Sequence, residues 1–328
     1  MIAGSAPRRK RDGKATSKGR GERDGDMSLG YVSPFLLYNI VGNMARFIKL
    51  AVPILSGLIV LSCASQAKKP LVDPFPLRFP LVEAGTLEIE GHVAGRPRAR
   101  DGIIYYATRE GSFTAVVVPS RCIFWRKPVE GADPEGDRSA DLSSGTESPA
   151  WKVEGSAIRA TDRDGVKMWE FAAAGTISAE PAVRDGRVYF GTAERTFYCL
   201  NATTGKKVWS RRLQGAALHP AVVQDGIVVI AASTSVVYRL SAKGGSVLSW
   251  EAIPSRVVYE PASAGSVVLI TSAAPTLIAL DLRTGRRSGQ YEASGLLAAG
   301  AVWSPPFVVL FEESPESGRQ RLVFLRSR

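Results

Sequence analysis

Residues 185–209 read DGRVYFGTAERTFYCLNATTGKKVW. This stretch contains short runs of aromatic, aliphatic and β-branched residues separated by polar turn residues, which is typical of β-strands rather than of a helix. The Asp-Gly pair at its start suits a tight hairpin turn because both residue types tolerate a positive φ angle. With the preceding Ala-Val pair, the stretch predicts four antiparallel strands at residues 182–183, 187–191, 196–200 and 206–210.

The same pattern recurs along the chain with a period of about 40 residues. A turn of the Asp-Gly type, or a degenerate form of it, precedes an apolar run at Asp101, Asp185, Asp225, Ala264 and Pro305. A glycine turn followed four or five residues later by tryptophan keeps the same phase, at Gly165 and Trp169, Gly205 and Trp209, and Gly245 and Trp250. Two independent markers with one period predict a repeat protein whose four-stranded unit is a β-propeller blade.

The predicted fourth strands set the number of blades. They are expected near Trp125, Trp169, Trp209, Trp250 and Gln290. The C-terminus then provides three strands without a fourth, and segment 86–91, TLEIEG, lies at the right distance before Asp101 to supply it. We therefore expect an all-β propeller of about six four-stranded blades over residues 82–328, closed by an N-terminal strand in the last blade. Five or seven blades are the alternatives.

Residues 189–209 also resemble the repeat of the PQQ-like (pyrroloquinoline-quinone-type) β-propeller family. The resemblance rests on the Gly-Thr pair, the Tyr-Cys-Leu-Asn run, the Thr-Gly-Lys turn and the closing tryptophan, and the run LIALD at 277–281 repeats part of it. In this family the tryptophan docks between adjacent blades. The resemblance therefore implies an inter-blade docking role for Trp125, Trp169, Trp209 and Trp250.

Residues 44–63 read MARFIKLAVPILSGLIVLSC, with a basic start, an apolar run and a final cysteine. A membrane-spanning helix needs about 20 apolar residues, and this run is shorter, so residues 44–62 predict an export signal. The sequence VLSC at 60–63 resembles the lipobox of bacterial lipoproteins, which implies lipidation of Cys63. An uncleaved signal anchor beside an ordinary thiol is the alternative.

Polar segments lie on both sides of this signal. Residues 1–43 are expected to be a mis-assigned upstream segment, because the signal favours a translation start at Met44 or Met27; a disordered basic arm is the alternative. Residues 63–81 contain four prolines and predict an extended tether between membrane and propeller. By analogy with bacterial lipoproteins, the residue after Cys63 favours the periplasmic face of the outer membrane or the cell surface.

Charge and cysteine content exclude several functions. The net charge of +11 falls to +5 over residues 63–328 and is spread out, so nucleic-acid binding is not expected. Three cysteines and two histidines provide no paired zinc-ligand spacing, and Cys122 and Cys199 are expected to be buried thiols in different blades. No phosphate loop, nucleophile motif or quinone-enzyme residue set is recognisable, so we expect no catalysis, no metal and no cofactor.

Each expected innermost strand begins near an X-Pro pair, at Arg96, Glu180, His219 and Glu260. In the PQQ-like family these strands line the central channel. The resemblance therefore implies that Glu180, His219 and Glu260 converge at the channel mouth as a candidate site for a small ligand or cation. The alternative is that they are solvated residues at strand starts. Segment 128–149, rich in Asp, Glu, Gly and Ser, is expected to be a solvated insertion in the second blade.

Together these observations predict a lipid-anchored, extracytoplasmic, monomeric propeller that acts as a non-catalytic scaffold for a protein partner. It is similar to propeller lipoproteins that serve outer-membrane protein assembly. Ligand or cation binding at the channel mouth and a degenerate quinoprotein are the alternatives.

Overall fold

The computed structural model describes residues 76–128 and 150–328, and within these ranges it contains β-strands and no helix. All of them belong to one compact unit, Lys69–Arg328. The predicted segments 1–43 and 44–62, Cys63, most of the tether and residues 129–149 of the predicted insertion lie outside the described residues.

The strands of the described ranges form six antiparallel sheets, which we call blades 1 to 6 in chain order. The first strand of the described residues is β1 (Leu81–Glu88). Blade 1 contains β2 (Val93–Arg100), β3 (Ile103–Thr108), β4 (Ser112–Val117) and β5 (Cys122–Pro128). Blade 2 contains β6 (Ala150–Glu154), β7 (Ala157–Thr161) and β8 (Lys167–Ala172). Blade 3 contains β9 (Ala182–Arg184), β10 (Arg187–Gly191), β11 (Thr196–Asn201) and β12 (Lys207–Arg212).

The remaining blades follow the same order. Blade 4 contains β13 (Val222–Gln224), β14 (Ile227–Ala231), β15 (Val236–Ser241) and β16 (Val247–Ala252). Blade 5 contains β17 (Ala262–Ala264), β18 (Val267–Thr271), β19 (Thr276–Asp281) and β20 (Arg287–Glu292). Blade 6 contains β21 (Leu296–Leu297), β22 (Val302–Ser304), β23 (Phe307–Glu313), β24 (Gln320–Ser327) and, on its outer side, β1. The prediction of an all-β propeller of about six blades is confirmed; four blades have four strands, whereas blade 2 has three within the described residues and blade 6 has five.

The first and last long strands of the unit lie side by side. In β1, Leu81 pairs with Ser327 and Glu88 with Arg321, so β1 is the outermost strand of blade 6. It lies earlier than the 86–91 segment expected from spacing. The pairing starts at Leu81, whose side chain is buried, and it ends before Gly91, where a φ of 93° turns the chain toward blade 1.

Turn chemistry at the start of the repeat explains why the hairpins form where they do. Asp101, Asp185 and Asp225 adopt φ angles of 50–51°, and each is followed by a glycine with φ between 69° and 77°. Two successive positive φ angles are the signature of the hairpin turn whose twist matches that of the strands. The Asp-Gly pairs therefore fix the register of β9 against β10 and of β13 against β14.

Apolar side chains on both faces of each sheet pack one blade against the next. In blade 3, Val188 and Leu200 join a buried cluster with blade 2, whereas Tyr189 and Cys199 join one with blade 4. Three further clusters join blades 4 and 5, blades 5 and 6, and blades 6 and 1. Each fully buried Val or Leu contributes about 1.5–3 kcal/mol, so these seams are the main source of stability. No cluster of this kind joins blades 1 and 2 within the described ranges.

Candidate functional site

The candidate channel site is built by the residues at the starts of the innermost strands. Glu180 precedes β9 and Glu260 precedes β17, and each is followed by a proline that lacks a backbone donor. Arg96 lies within β2, where the pairing with β3 shifts register between Ala94 and Arg98. This bulge fits Pro97, which cannot donate a ladder hydrogen bond. The three charged side chains therefore leave their sheets at comparable points in blades 1, 3 and 5.

Arg96 is the centre of this cluster. Its Nη1 lies 2.8 Å from Oε2 of Glu180 and 3.1 Å from Oε2 of Glu260. The three side chains are 38%, 56% and 28% exposed, respectively. The two carboxylates from blades 3 and 5 thus share one guanidinium from blade 1, and the charges of three blades are linked at one point.

Burial shifts the titration of two other groups at this site. Burial raises the pKa of the Glu260 carboxyl, against the opposing charges of Arg96 and Arg98. Burial also lowers the pKa of the His219 imidazole, and the charge of Arg96 lowers it further. His219 is therefore a neutral side chain near neutral pH. The Arg96 charge affects the pKa of His219, although the two side chains do not form an ion pair.

The structure thus brings together Glu180 and Glu260 and places His219 within electrostatic reach of the same guanidinium. Because Arg96 already lies between the carboxylates, it occupies the place that a bound cation would take. No group of three or more His, Cys, Asp and Glu side chains in the described part of the chain is arranged to hold a metal ion. A polar or anionic group could bind to the Arg96 guanidinium beside the two carboxylates. The geometry suits such a group better than a free metal ion.

The predicted docking tryptophans occupy two kinds of position. Nε1 of Trp169 donates to the carbonyl of Ala202 and Nε1 of Trp209 to the carbonyl of Ala242, both at 2.9 Å. Both indoles are 8% exposed. A side chain on Gly205 would overlap the Trp169 ring, so only glycine allows the turn to approach the indole. Each indole therefore joins its own blade to the turn of the next one.

Trp250 does not take this position. Ser249 of β16 pairs with Arg239 as Trp209 pairs with Cys199, so Trp250 points to the opposite face and is 63% exposed. The turn before β16 has the same length as the turn before β12, but the tryptophan lies one position later in the strand, five residues after Gly245 rather than four. The sequence prediction for Trp250 requires this correction.

An arginine that the sequence reading did not single out replaces the missing indole. Nε of Arg239 donates to the carbonyl of Leu282 at 2.7 Å, the position equivalent to Ala242 one repeat later, and its Nη2 donates to Arg283. The Gly285 turn is packed against Ser249 and Arg239 in the same way that Gly245 is packed against Trp209. The sequence does contain a signal for this replacement: one repeat after Cys199, the equivalent position is the arginine Arg239.

Trp125 lies in a third setting. It is half-buried and packs on Tyr105 and Phe113 of its own blade, at centroid distances of 6.2 and 5.7 Å, and Nζ of Lys127 lies 5.2 Å from the ring centroid. Its contacts with other described blades do not include an indole hydrogen bond of the Trp209 type.

The cysteines also require one correction. Cys199 is buried, and burial raises the pKa of its thiol. Cys122 is exposed, because it opens β5 at the outer edge of blade 1 rather than lying in a core strand. The lipidation candidate Cys63 lies outside the described residues.

The fold and these inter-blade contacts define a class of protein. A series of antiparallel sheets of this kind, in which blades 2, 3 and 4 each place an indole or its substitute on the glycine turn of the next blade, is typical of a PQQ-like β-propeller. A family model described as outer membrane protein assembly factor BamB matches residues 154–296, from the end of β6 to the start of β21. The repeat is thus of the PQQ-like type, and the matched region resembles BamB.

Two solved structures illustrate the likeness. The crystal structure of BamB from Moraxella catarrhalis has 15% sequence identity, covers 74% of this chain and has a TM-score of 0.40; the chain covers 66% of that protein, slightly less than two thirds. The computationally designed Ika8 protein has 16% identity, with 71% of this chain and 70% of that chain covered and a TM-score of 0.41. No curated protein matches the sequence. The part of the chain that the structure describes contains no helix with the length and apolarity of a membrane span.

Proposed function

We propose that this protein is a lipid-anchored, non-catalytic interaction scaffold of the cell envelope that serves outer-membrane protein assembly. The observation that carries the proposal is the BamB-type family match over residues 154–296. The lipobox-like sequence ending at Cys63 supports the proposed anchor and a location outside the cytoplasm. Assembly factors act by holding other proteins, which needs surface rather than catalytic groups.

The outer edges of the blades supply such a surface. Strands β5, β8, β12, β16 and β20 each end their sheet with no further strand beyond them among the described residues. An unpaired edge presents backbone donors and acceptors that can accept an extended segment of another protein. The charged groups of the channel, in contrast, are held in ion pairs with one another.

The anchor is tested by metabolic labelling with a clickable fatty acid. The wild-type chain is expected to carry the label and to fractionate with membranes, and Cys63→Ala is expected to lose both. Label on the Cys63→Ala variant, or none on the wild type, would contradict the lipoprotein proposal.

The assembly role is tested by depleting the protein in its own cell. The amount of folded β-barrel protein in the outer membrane is expected to fall, and wild-type protein to restore it. Unchanged levels of β-barrel protein after complete depletion would reject the assembly role but would not bear on the proposed lipid anchor.

A second candidate is binding of a small polar ligand at the channel, because Arg96 and Glu180 are 38% and 56% exposed and Arg96 already holds two carboxylates. A thermal-shift screen with sugars, quinone and Ca²⁺ on the wild type and on Glu180→Ala tests it. A shift seen only in the wild type supports a ligand, and no shift with any compound removes this candidate for those classes.

A further inference from the structure

One sector of the propeller rim has an unusual charge. It comprises the glycine turn and outermost strand of blades 3, 4 and 5, at residues 203–212, 243–252 and 283–292, and we call it the cationic rim. It contains eight Lys and Arg residues and two Glu residues, a net charge of +6. The equivalent segment of blade 2, residues 163–172, is neutral, and β1 on blade 6 carries −2. The equivalent segment of blade 1, residues 119–128, carries +3, so the cationic rim is the larger of two positive sectors of the described blades.

Large apolar side chains are exposed in the same sector. Trp250 is 63% exposed, Leu248 47%, Val247 45% and Val208 43%. Trp250 is exposed because Ser249 and Arg239 have taken over the inter-blade contact. An exposed indole beside exposed aliphatic groups has no role in the packing of the described blades, which indicates that it contacts something else.

Contacts between blades hold the three segments as one surface. Nε of Arg211 donates to the carbonyl of Gly245 at 2.8 Å, and Nη2 of Arg287 lies 3.6 Å from Oε1 of Glu251. These contacts join β12 to the turn before β16 and β16 to β20. These contacts therefore hold the apolar and cationic groups of the sector in one continuous surface.

The chain that leads from the proposed lipidation site reaches the propeller beside this sector. Leu77 is buried in the cluster between blades 5 and 6, and the Phe79 ring packs where a side chain on Gly289 of β20 would lie. Fourteen residues separate Cys63 from Leu77, which reach at most about 45 Å when extended. A membrane that holds Cys63 therefore lies within reach of the rim of blade 5.

We propose that the cationic rim lies on an anionic lipid surface, with Trp250 at the level of the head groups. Indoles are favoured at membrane interfaces because one part of the ring is apolar and its N–H is polar. Basic side chains are attracted to an anionic lipid surface and strengthen binding to it. The inference rests on the proposed lipid anchor, because one anchor alone leaves the propeller free to turn, and the rim gives it one orientation. An acidic protein surface is the competing partner, and the position of the tether favours lipid.

The test uses the full chain reconstituted in vesicles of brominated phosphatidylcholine, with or without equimolar phosphatidylglycerol. Bromine quenches tryptophan emission at close range. We expect quenching and a blue shift of the Trp250 signal in the anionic vesicles and loss of both in neutral vesicles. The emission of Trp250 is obtained as the difference between the spectra of the wild type and the Trp250→Phe variant. The effect should also disappear in 1 M salt, where the screening length falls to about 3 Å.

A matched pair of charge variants locates the contact. Lys207→Glu/Arg212→Glu/Arg286→Glu changes three exposed rim residues and is expected to lose the quenching. Arg163→Glu/Arg256→Glu/Arg319→Glu changes three exposed cations outside the rim and is expected to keep it. Both variants change the net charge by the same amount, so a difference between them reflects the position of the replaced charges and not the total charge. Circular dichroism verifies that both variants remain folded.

Equal quenching in neutral and anionic vesicles, or loss of quenching in both triple variants, would overturn the inference. So would a Trp250 signal that responds to polyglutamate but not to lipid, since that result assigns the rim to an acidic protein partner. Mass spectrometry of the peptide that contains Cys63 tests the lipid anchor independently of the quenching. An unacylated peptide rejects the anchor, whereas an acylated protein without quenching rejects the rim alone.

Discussion

Trp209 and Trp250 occupy similar places in successive repeats but meet different surroundings. The Trp209 indole is buried and donates to Ala242, whereas Trp250 is mostly exposed. Replacing a buried indole removes its packing, leaves a cavity and removes one hydrogen bond to a buried carbonyl. The same substitution at an exposed position removes little.

Trp209→Ala is therefore expected to lower the free energy of unfolding by about 3–5 kcal/mol. Trp250→Ala is the matched control in the same chain and should change it by less than about 1 kcal/mol. Urea unfolding followed by far-UV circular dichroism measures both. Equal losses for the two variants would contradict the assignment of one indole to the seam and the other to the surface.

The channel cluster predicts a pH dependence at Glu260. Burial raises its pKa above the ordinary value of 4.5, so the folded protein binds the proton more tightly than the unfolded chain does. The stability from this group is complete below pH 4.5 and is lost as the pH rises through the raised pKa. Glu260→Gln removes the titration. Its free energy of unfolding, relative to wild type, should therefore increase as the pH rises above 4.5.

Unfolding at several pH values between 4 and 8 measures this difference. Glu316→Gln, on an exposed carboxylate of blade 6, is the control and should give a flat difference. A flat difference for Glu260→Gln as well would show that its proton affinity does not change on folding.

At the scale of elements, the strands and hairpin turns followed from residue types alone. The Asp-Gly turns and the apolar runs after them fixed β10, predicted and observed at residues 187–191, because turn type and side-chain alternation are local properties. The strand boundary at β1 was missed by several residues, because its partner, β24, lies at the other end of the chain. A local pattern contains no information about that register.

The inter-blade contacts were predictable only where the repeat kept its spacing. Trp169 and Trp209 followed the pattern, whereas Trp250 lies one position later in its strand and therefore points to the other face. The replacement by Arg239 depends on the carbonyl of Leu282 in another blade, which no local pattern reveals. Arg96 was not among the predicted channel-mouth residues for the same reason, because its partners Glu180 and Glu260 come from two other blades.

The seam between blades 4 and 5 should depend on Arg239. Arg239→Met keeps most of the aliphatic stem but removes the donors to Leu282 and Ser249. We expect the free energy of unfolding to fall by about 1–3 kcal/mol, because a partly buried carbonyl loses its partner. Arg212→Met, at an exposed position of β12, is the control and should be within about 0.5 kcal/mol of wild type. Chemical denaturation measures both, and equal effects would remove the assigned role.

At the scale of the whole propeller unit, the seams differ in strength. In blade 3, Phe190 pairs with Tyr198 in the buried contact to blade 2. The equivalent pair in blade 2 is Lys152 opposite Arg159, and these two cations bind Glu154. A charged and exposed face cannot form the apolar contact that the other blades use, so blade 2 is held mainly from its blade 3 side.

Blade 2 should therefore open before the other blades. We expect backbone amides of β7 to exchange with deuterium about tenfold faster than those of β14 and β15, since fewer buried contacts oppose local opening. Hydrogen exchange with mass spectrometry, at a pH where intrinsic rates are corrected, measures the ratio. Protection of β7 equal to that of β15 would show that the charged face does not weaken the blade.

The pairing of β1 with β24 determines the order in which the molecule can be completed. Leu81 and Ser327 are 246 positions apart, so the earliest strand to leave the ribosome must wait for the latest. The intervening blades contain their own hairpins and can assemble meanwhile, whereas β1 keeps a bare edge that invites wrong partners. A nascent chain that stops anywhere before residue 320 leaves that edge permanently open, and such a fragment is a natural substrate for quality-control proteases.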